Sequence, residues 1–191
     1  MYRVLRSVHL CAGLFALVFL VVYAISALQM THGKWVHMAS RTTERSVALS
    51  AGLNDARAAA GELARHERIS GELTGIRVAP GRLAFRILRP GMVWQVDYAA
   101  ATGATRLHIT DTGTLGALNR IHQMRGVWHE WVAYNIWAAL LALVGCAILT
   151  LGSTGVYLWW KTNRDLRVTG AIFIAALAVT GGLAAWMRIA G

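Results

Sequence analysis

Val132 to Trp160 reads VAYNIWAALLALVGCAILTLGSTGVYLWW, and no charged side chain interrupts it. The run is longer than the about 20 helical residues that cross a hydrocarbon core, where backbone polar groups must be satisfied within the segment. Leu10 to Met30 and Val168 to Trp186 are also free of charge and meet the same criterion. With 56% hydrophobic and only 15% charged residues, the 191-residue chain belongs with small integral membrane proteins rather than soluble globules. The first run follows Arg3 and Arg6 as the h-region of a signal peptide would. It is longer than the roughly 7 to 15 residues of such a region and is read as a retained helix.

The short flanks set the expected orientation, because Lys and Arg in short loops stay cytoplasmic. Arg3 and Arg6 precede the first helix, and Lys161, Arg164 and Arg167 fill the tight link between the second and third. This places the N-terminus and that link inside a bacterial inner membrane and the long middle segment in the periplasm. The expected organisation is a first transmembrane helix over 1–30, a periplasmic α+β domain over 31–120 and a second helix over 121–160. A cytoplasmic loop over 161–167 and a third helix with a short outer tail over 168–191 complete it. The formal charge of +10 includes many arginines scattered through the middle segment. Scatter of this kind suits a solvated or headgroup-facing surface and excludes a nucleic-acid partner. The two cysteines, Cys11 and Cys146, both fall in membrane runs, so no disulfide framework holds the outer domain.

Within the middle segment, SVALSAGLNDARAAAGELARHE (46–67) spaces Val47, Leu49, Leu53, Ala56, Ala60 and Leu63 as an amphipathic helix would, weakened by Gly52 and Gly61. After Ser70 the period shortens. ELTGIRV, RLAFRIL, MVWQVDY and ATRLHIT are β-rich or alternating, and Pro80-Gly81, Pro90-Gly91 and Thr102-Gly103 separate them. A helix followed by three or four antiparallel strands is an α+β unit of roughly 80 residues, small enough to need support from the membrane helices.

Val93 to Thr105, VWQVDYAAATGAT, resembles the final hairpin of a PepSY domain: an alternating strand, Asp97, a few small residues, Thr102-Gly103 and a second strand. The membrane parts are similar to those of PepSY-associated transmembrane proteins. These begin with a basic N-terminus and a histidine heading helix one, as in Arg6-Ser7-Val8-His9 with Gly13. They resume with Asn119-Arg120-Ile121-His122 and close helix two with Ser153-Thr154-Gly155 and aromatics. Some members of that family resemble membrane-bound ferrisiderophore reductases that carry b-type haem on helix histidines. The resemblance therefore implies a haem b cofactor and makes His9, His32, His122 and His129 the positions to watch.

The placement of the seven histidines is uneven. His9 heads the first run, His32 and His37 follow its outer end, and His122 and His129 precede the second run. Four thus converge on one membrane face, where bundle cores assemble cofactor sites and a six-coordinate haem takes one imidazole on each side. On one continuous helix, His122 and His129 would lie about two turns or roughly 10 Å apart, too far to clamp one iron together. His129, beside Trp128 and Trp131 as apolar walls, is expected to pair with His32, with His122 and His37 as the alternates. Arg120 and Arg125 suit haem propionates. An amphipathic imidazole is equally at home in the headgroup zone for structural reasons alone. Glu130 either orients the neighbouring imidazole or faces water.

The sequence holds no G-x-S-x-G, H-E-x-x-H, phosphate-binding glycine loop or dinucleotide fingerprint, so nothing in it speaks for a hydrolase. Two functions remain open. One is a membrane-anchored haem b-binding electron-transfer or reductase-associated subunit with bis-histidine ligation near the periplasmic face. The other is a non-catalytic PepSY membrane module that binds a partner or regulates a peptidase or membrane complex. In either case the Gly- and Ala-rich third run (Gly170, Ala171, Ala175, Gly181, Gly182) suits close packing with a partner subunit or a second copy.

Overall fold

The computed structural model describes residues 1–32, 39–124, 126–162 and 166–189. Among these residues three helices are long and apolar enough to cross a membrane: α1 (Tyr2–Thr31), α4 (Val132–Thr162) and α5 (Leu166–Ile189). Many of their apolar side chains, among them Leu14, Val18, Leu149, Ile172 and Leu177, are exposed, as those of a helix able to cross a membrane would be. The chain divides into two compact units, 1–15 with 146–191 and 16–145.

In the first unit the start of α1 meets the second half of α4. The Leu151 side chain lies over Gly13, and His9 Nδ1 is 2.9 Å from Thr154 Oγ1. Trp159 Nε1 donates to Thr169 Oγ1 at 2.9 Å, and its ring tilts against Phe173, which ties α5 to the end of α4.

The second unit contains a five-stranded antiparallel sheet of β1 (Arg41–Ala48), β2 (Glu72–Ala79), β3 (Arg82–Arg89), β4 (Met92–Ala99) and β5 (Ala104–Asp111), in the order β1-β5-β4-β3-β2. The three predicted turns fall where β2 to β5 are joined, and Gly81, Gly91 and Gly103 all adopt positive φ there. Alternation sends Leu83, Phe85 and Ile87 of β3, Trp94, Val96 and Tyr98 of β4, and Leu107 of β5 to one face, where all are buried. Helix α2 (Ala56–His66) covers that face with Ala56, Ala59 and Leu63. The Tyr98 hydroxyl accepts from Leu53 N at 2.9 Å and donates to Ser50 O at 2.8 Å, fixing the loop that leads into α2. The β2–β3 register shifts between Thr74 and Arg77, where Gly75 has φ of 62°.

Four expectations need correction. The helix expected over 46–67 is α2 alone, because 46–48 belong to β1 and Gly52 turns the chain at φ of 82°. The sheet has a fifth strand, β1, which pairs along its length with β5. The second membrane helix starts at Val132 rather than 121. Residues 113–122 form a separate helix, α3 (Gly113–His122), and Gly126 at φ of 80° lies between α3 and α4. The link between α4 and α5 is shorter than 161–167, since α4 runs to Thr162 and α5 starts at Leu166.

Glu62 on α2 accepts from both the backbone N–H and the hydroxyl of Ser50, each at 2.9 Å. These bonds hold its carboxyl below the usual glutamate value. Because the folded value is the lower one, the contact contributes fully above the unfolded pKa of about 4.3 and is lost as pH falls through the depressed folded value. Glu62→Gln is therefore expected to flatten the acid limb of the domain's stability profile, followed by far-UV circular dichroism. An unchanged acid limb would show that the Ser50 contact does not bear on stability.

Candidate functional site

Polar side chains of the second unit gather where α1 and α3 end and α4 begins. Ser26 and Gln29, one helical turn apart on α1, are buried. Gln29 Nε2 donates to Leu115 O of α3 at 3.4 Å. Ser26 Oγ lies 2.6 Å from His122 Nδ1 at the end of α3. The His122 ring sits 4.7 Å from the Tyr23 ring, and Phe19 meets Trp137 of α4 at 5.6 Å.

Three contacts close the neighbouring node around Glu72, the first residue of β2. Its Oε2 accepts from Trp131 N at 2.8 Å, and its Oε1 accepts from Glu130 N at 3.3 Å and faces His129 Nδ1 at 3.4 Å. His129 is further clasped by Asn135, which accepts from His129 N at 3.0 Å and donates to His129 O at 2.8 Å. The edge-on ring of Tyr134 packs on His129 at 5.2 Å and on Trp131 at 4.9 Å, and Arg120 of α3 faces the Tyr134 phenol. Glu130 points elsewhere and pairs with Arg57 of α2, raising the guanidinium above its ordinary value.

The Nδ1 atoms of four histidines each lie within hydrogen-bond distance of an oxygen. Ser26 Oγ donates its only proton to Tyr23 O at 2.9 Å, and Thr154 Oγ1 donates its own to Thr150 O at 2.6 Å. With each hydroxyl so engaged, it is placed to accept from the Nδ1 of its histidine, His122 or His9. His32 Nδ1 faces the carbonyl of Leu28 at 3.3 Å and His129 Nδ1 faces a carboxylate, both acceptors only. All four rings are thus anchored at the same nitrogen, Nδ1. This is the arrangement in which a histidine ligates a metal while its other nitrogen is held by an outer partner.

The predicted residues are thus distributed over three places. His122, His129, Trp131 and Arg120 share the junction of α1, α3 and α4. His32 lies just past α1, bonded back to its last turn, and His9 belongs to the other unit. His37 and Arg125 lie outside the described residues. Trp128 is 92% exposed. Since residues 123, 124 and 126–131 are not helical, the i, i+7 helix spacing does not set the His122–His129 separation, and that ground for excluding them as a pair falls. Among the described residues no three His, Cys, Asp or Glu side chains gather as a metal site would. A bis-histidine haem needs only two.

Sequence reasoning missed Ser26, Thr154 and Glu72. Ser26 and Thr154 did leave a signal, as hydrogen-bonding residues placed in otherwise apolar runs where such groups join helices. Glu72, 57 positions from His129, left none. No family model matches the chain, and no curated protein or solved structure matches it either.

Proposed function

We propose that this chain is a membrane-anchored haem b-binding electron-transfer or reductase-associated subunit. In this reading it is related to the PepSY-associated transmembrane proteins that its segments resemble. Its N-terminus and α4–α5 link face the cytoplasm, and its sheet domain lies at the outer face of a bacterial inner membrane. The observation that supports the reading is that His9, His32, His122 and His129 each have Nδ1 beside an oxygen of the protein, the kind of outer contact that orients a ligating imidazole. A b-type haem supplies one-electron chemistry. The chain's own contribution is to orient the imidazoles through Ser26, Thr154 and Glu72. Trp131 and Tyr134 exclude water beside His129, and the Arg120 guanidinium is available to a propionate. His129 remains the first choice of ligand, with His32 as its partner and His122 and His37 as alternates. His9 takes its partner from a second subunit.

Protein purified in detergent from haem-replete cells is expected to show a reducible Soret band and α band, and His129→Ala to lose the low-spin spectrum. A colourless, folded preparation would overturn the haem reading. A low-spin spectrum unchanged in His129→Ala would overturn the choice of ligand. The second reading, a non-catalytic module that binds a partner, is favoured by the tie that Glu72 and the Arg57–Glu130 pair make between the sheet domain and the start of α4. The small residues of α5 then provide the face for a second copy or another subunit.

A further inference from the structure

The face of the sheet opposite α2 holds a cleft of about 660 Å³, within the range of small-ligand sites. Arg77 of β2, Arg82 of β3 and Arg106 of β5 line it, with His108 at one end and Asp97 as the one lining carboxylate. Strand pairing places these groups together, since Arg77 stands opposite Ala84, Ala84 opposite Asp97, and Asp97 opposite Arg106. Ala79 and Ala99, both opposite Arg82, and Ala84 are small enough to leave a recess between the arginine stems.

The local charge is only partly offset from within, by Asp97. Among the described residues none of the three arginines makes an ion pair. Glu67 is paired with Arg45 and Glu130 with Arg57, while Glu44 lies 3.2 Å from His108. A recess with three guanidiniums against one carboxylate keeps an excess of positive charge that concentrates anions, and guanidinium forks fit the planar edges of carboxylate and phosphate groups. A flat lipid surface would meet the guanidinium rim and leave the alanine floor uncovered, whereas a compact ligand fills it.

We propose that the open face of the sheet binds a small soluble oxyanion carrying two or more negative charges, of the polycarboxylate or pyrophosphate class, between Arg77, Arg82 and Arg106. The inference is independent of the haem reading.

The test is isothermal titration of the full chain in zwitterionic phosphatidylcholine nanodiscs with citrate and with pyrophosphate, and with acetate as a monovalent control. Saturable binding of citrate or pyrophosphate, and none of acetate, is expected. The double variant Arg82→Gln/Arg106→Gln should weaken it by at least about tenfold, the scale of charge-assisted hydrogen bonds. Arg65→Gln, on α2 across the sheet, should leave binding unchanged. Circular dichroism of each variant verifies that the sheet is intact. Absence of saturable binding by the folded protein overturns the proposal, as does an equal loss in Arg65→Gln. A third arm uses phosphatidylglycerol nanodiscs. If the cleft substitutions alter engagement of anionic lipid without affecting either soluble anion, the face is a headgroup surface and the proposal fails.

Discussion

Glu72→Ala is expected to destabilise the second unit by about 3 kcal/mol, the cost of removing one partner from a mostly buried, hydrogen-bonded polar pair. The Glu72 side chain is 12% exposed and that of His129 19%, so water cannot fully replace the lost carboxylate. The backbone N–H groups of Glu130 and Trp131 and the Nδ1–H of His129 would lose their acceptor together. The thermal midpoint should fall by at least about 10 °C for a domain of this size. Hydrogen exchange should accelerate first at 129–131. Glu72→Gln, which keeps one acceptor oxygen, should lose less than half as much. A Glu72→Ala protein that melts with the parent and exchanges normally at those amides would show that the carboxylate does not hold the junction.

Gly103→Ala should be comparably severe, at about 3 kcal/mol, for two separable reasons. Gly103 has φ of 71°, where an L side chain costs about 1–2 kcal/mol. A Cβ there would also run into the Leu49 carbonyl oxygen, which is backbone and cannot swing aside, adding an overpacking term of about 1–3 kcal/mol. The same glycine accepts a hydrogen bond from Leu49 N at 2.9 Å, so the strain spreads to the link between β1 and α2. Gly81, with φ of 72° but nothing near a built Cβ, separates the two terms. Chemical denaturation of both alanine variants should place Gly81→Ala clearly above Gly103→Ala. Equal losses would show that conformation alone accounts for both.

Much of the architecture was legible because it is written in local chemistry. Uninterrupted apolar runs announced α1, α4 and α5, and glycine after proline or threonine announced the hairpins. Strand β1 was not legible. Its sequence, RTTERSVA, is polar and exposed almost throughout, and its pairing partner lies more than 50 residues away. Helix α3 was hidden by Gly113 and Gly116 and by a continuous reading of His122 into the membrane run. The candidate site divides along the same line. His122 and His129 were visible as residue types near a boundary. Glu72 and Ser26, which decide where those rings point, are close to them only through tertiary structure.

The irregularity at Thr74–Arg77 has a consequence for life at a membrane. Confinement to a bilayer raises the encounter frequency between copies, and any straight, unpaired strand is an invitation to join sheets end over end. Here β2 is one of the two outer strands, and the bulge at Gly75 breaks the regular row of amides that a neighbour would need. On the other side, β1 presents Arg41, Glu44 and Arg45, whose charges resist burial under a second chain. Both margins of the sheet thereby carry features that oppose edge-to-edge pairing with another chain.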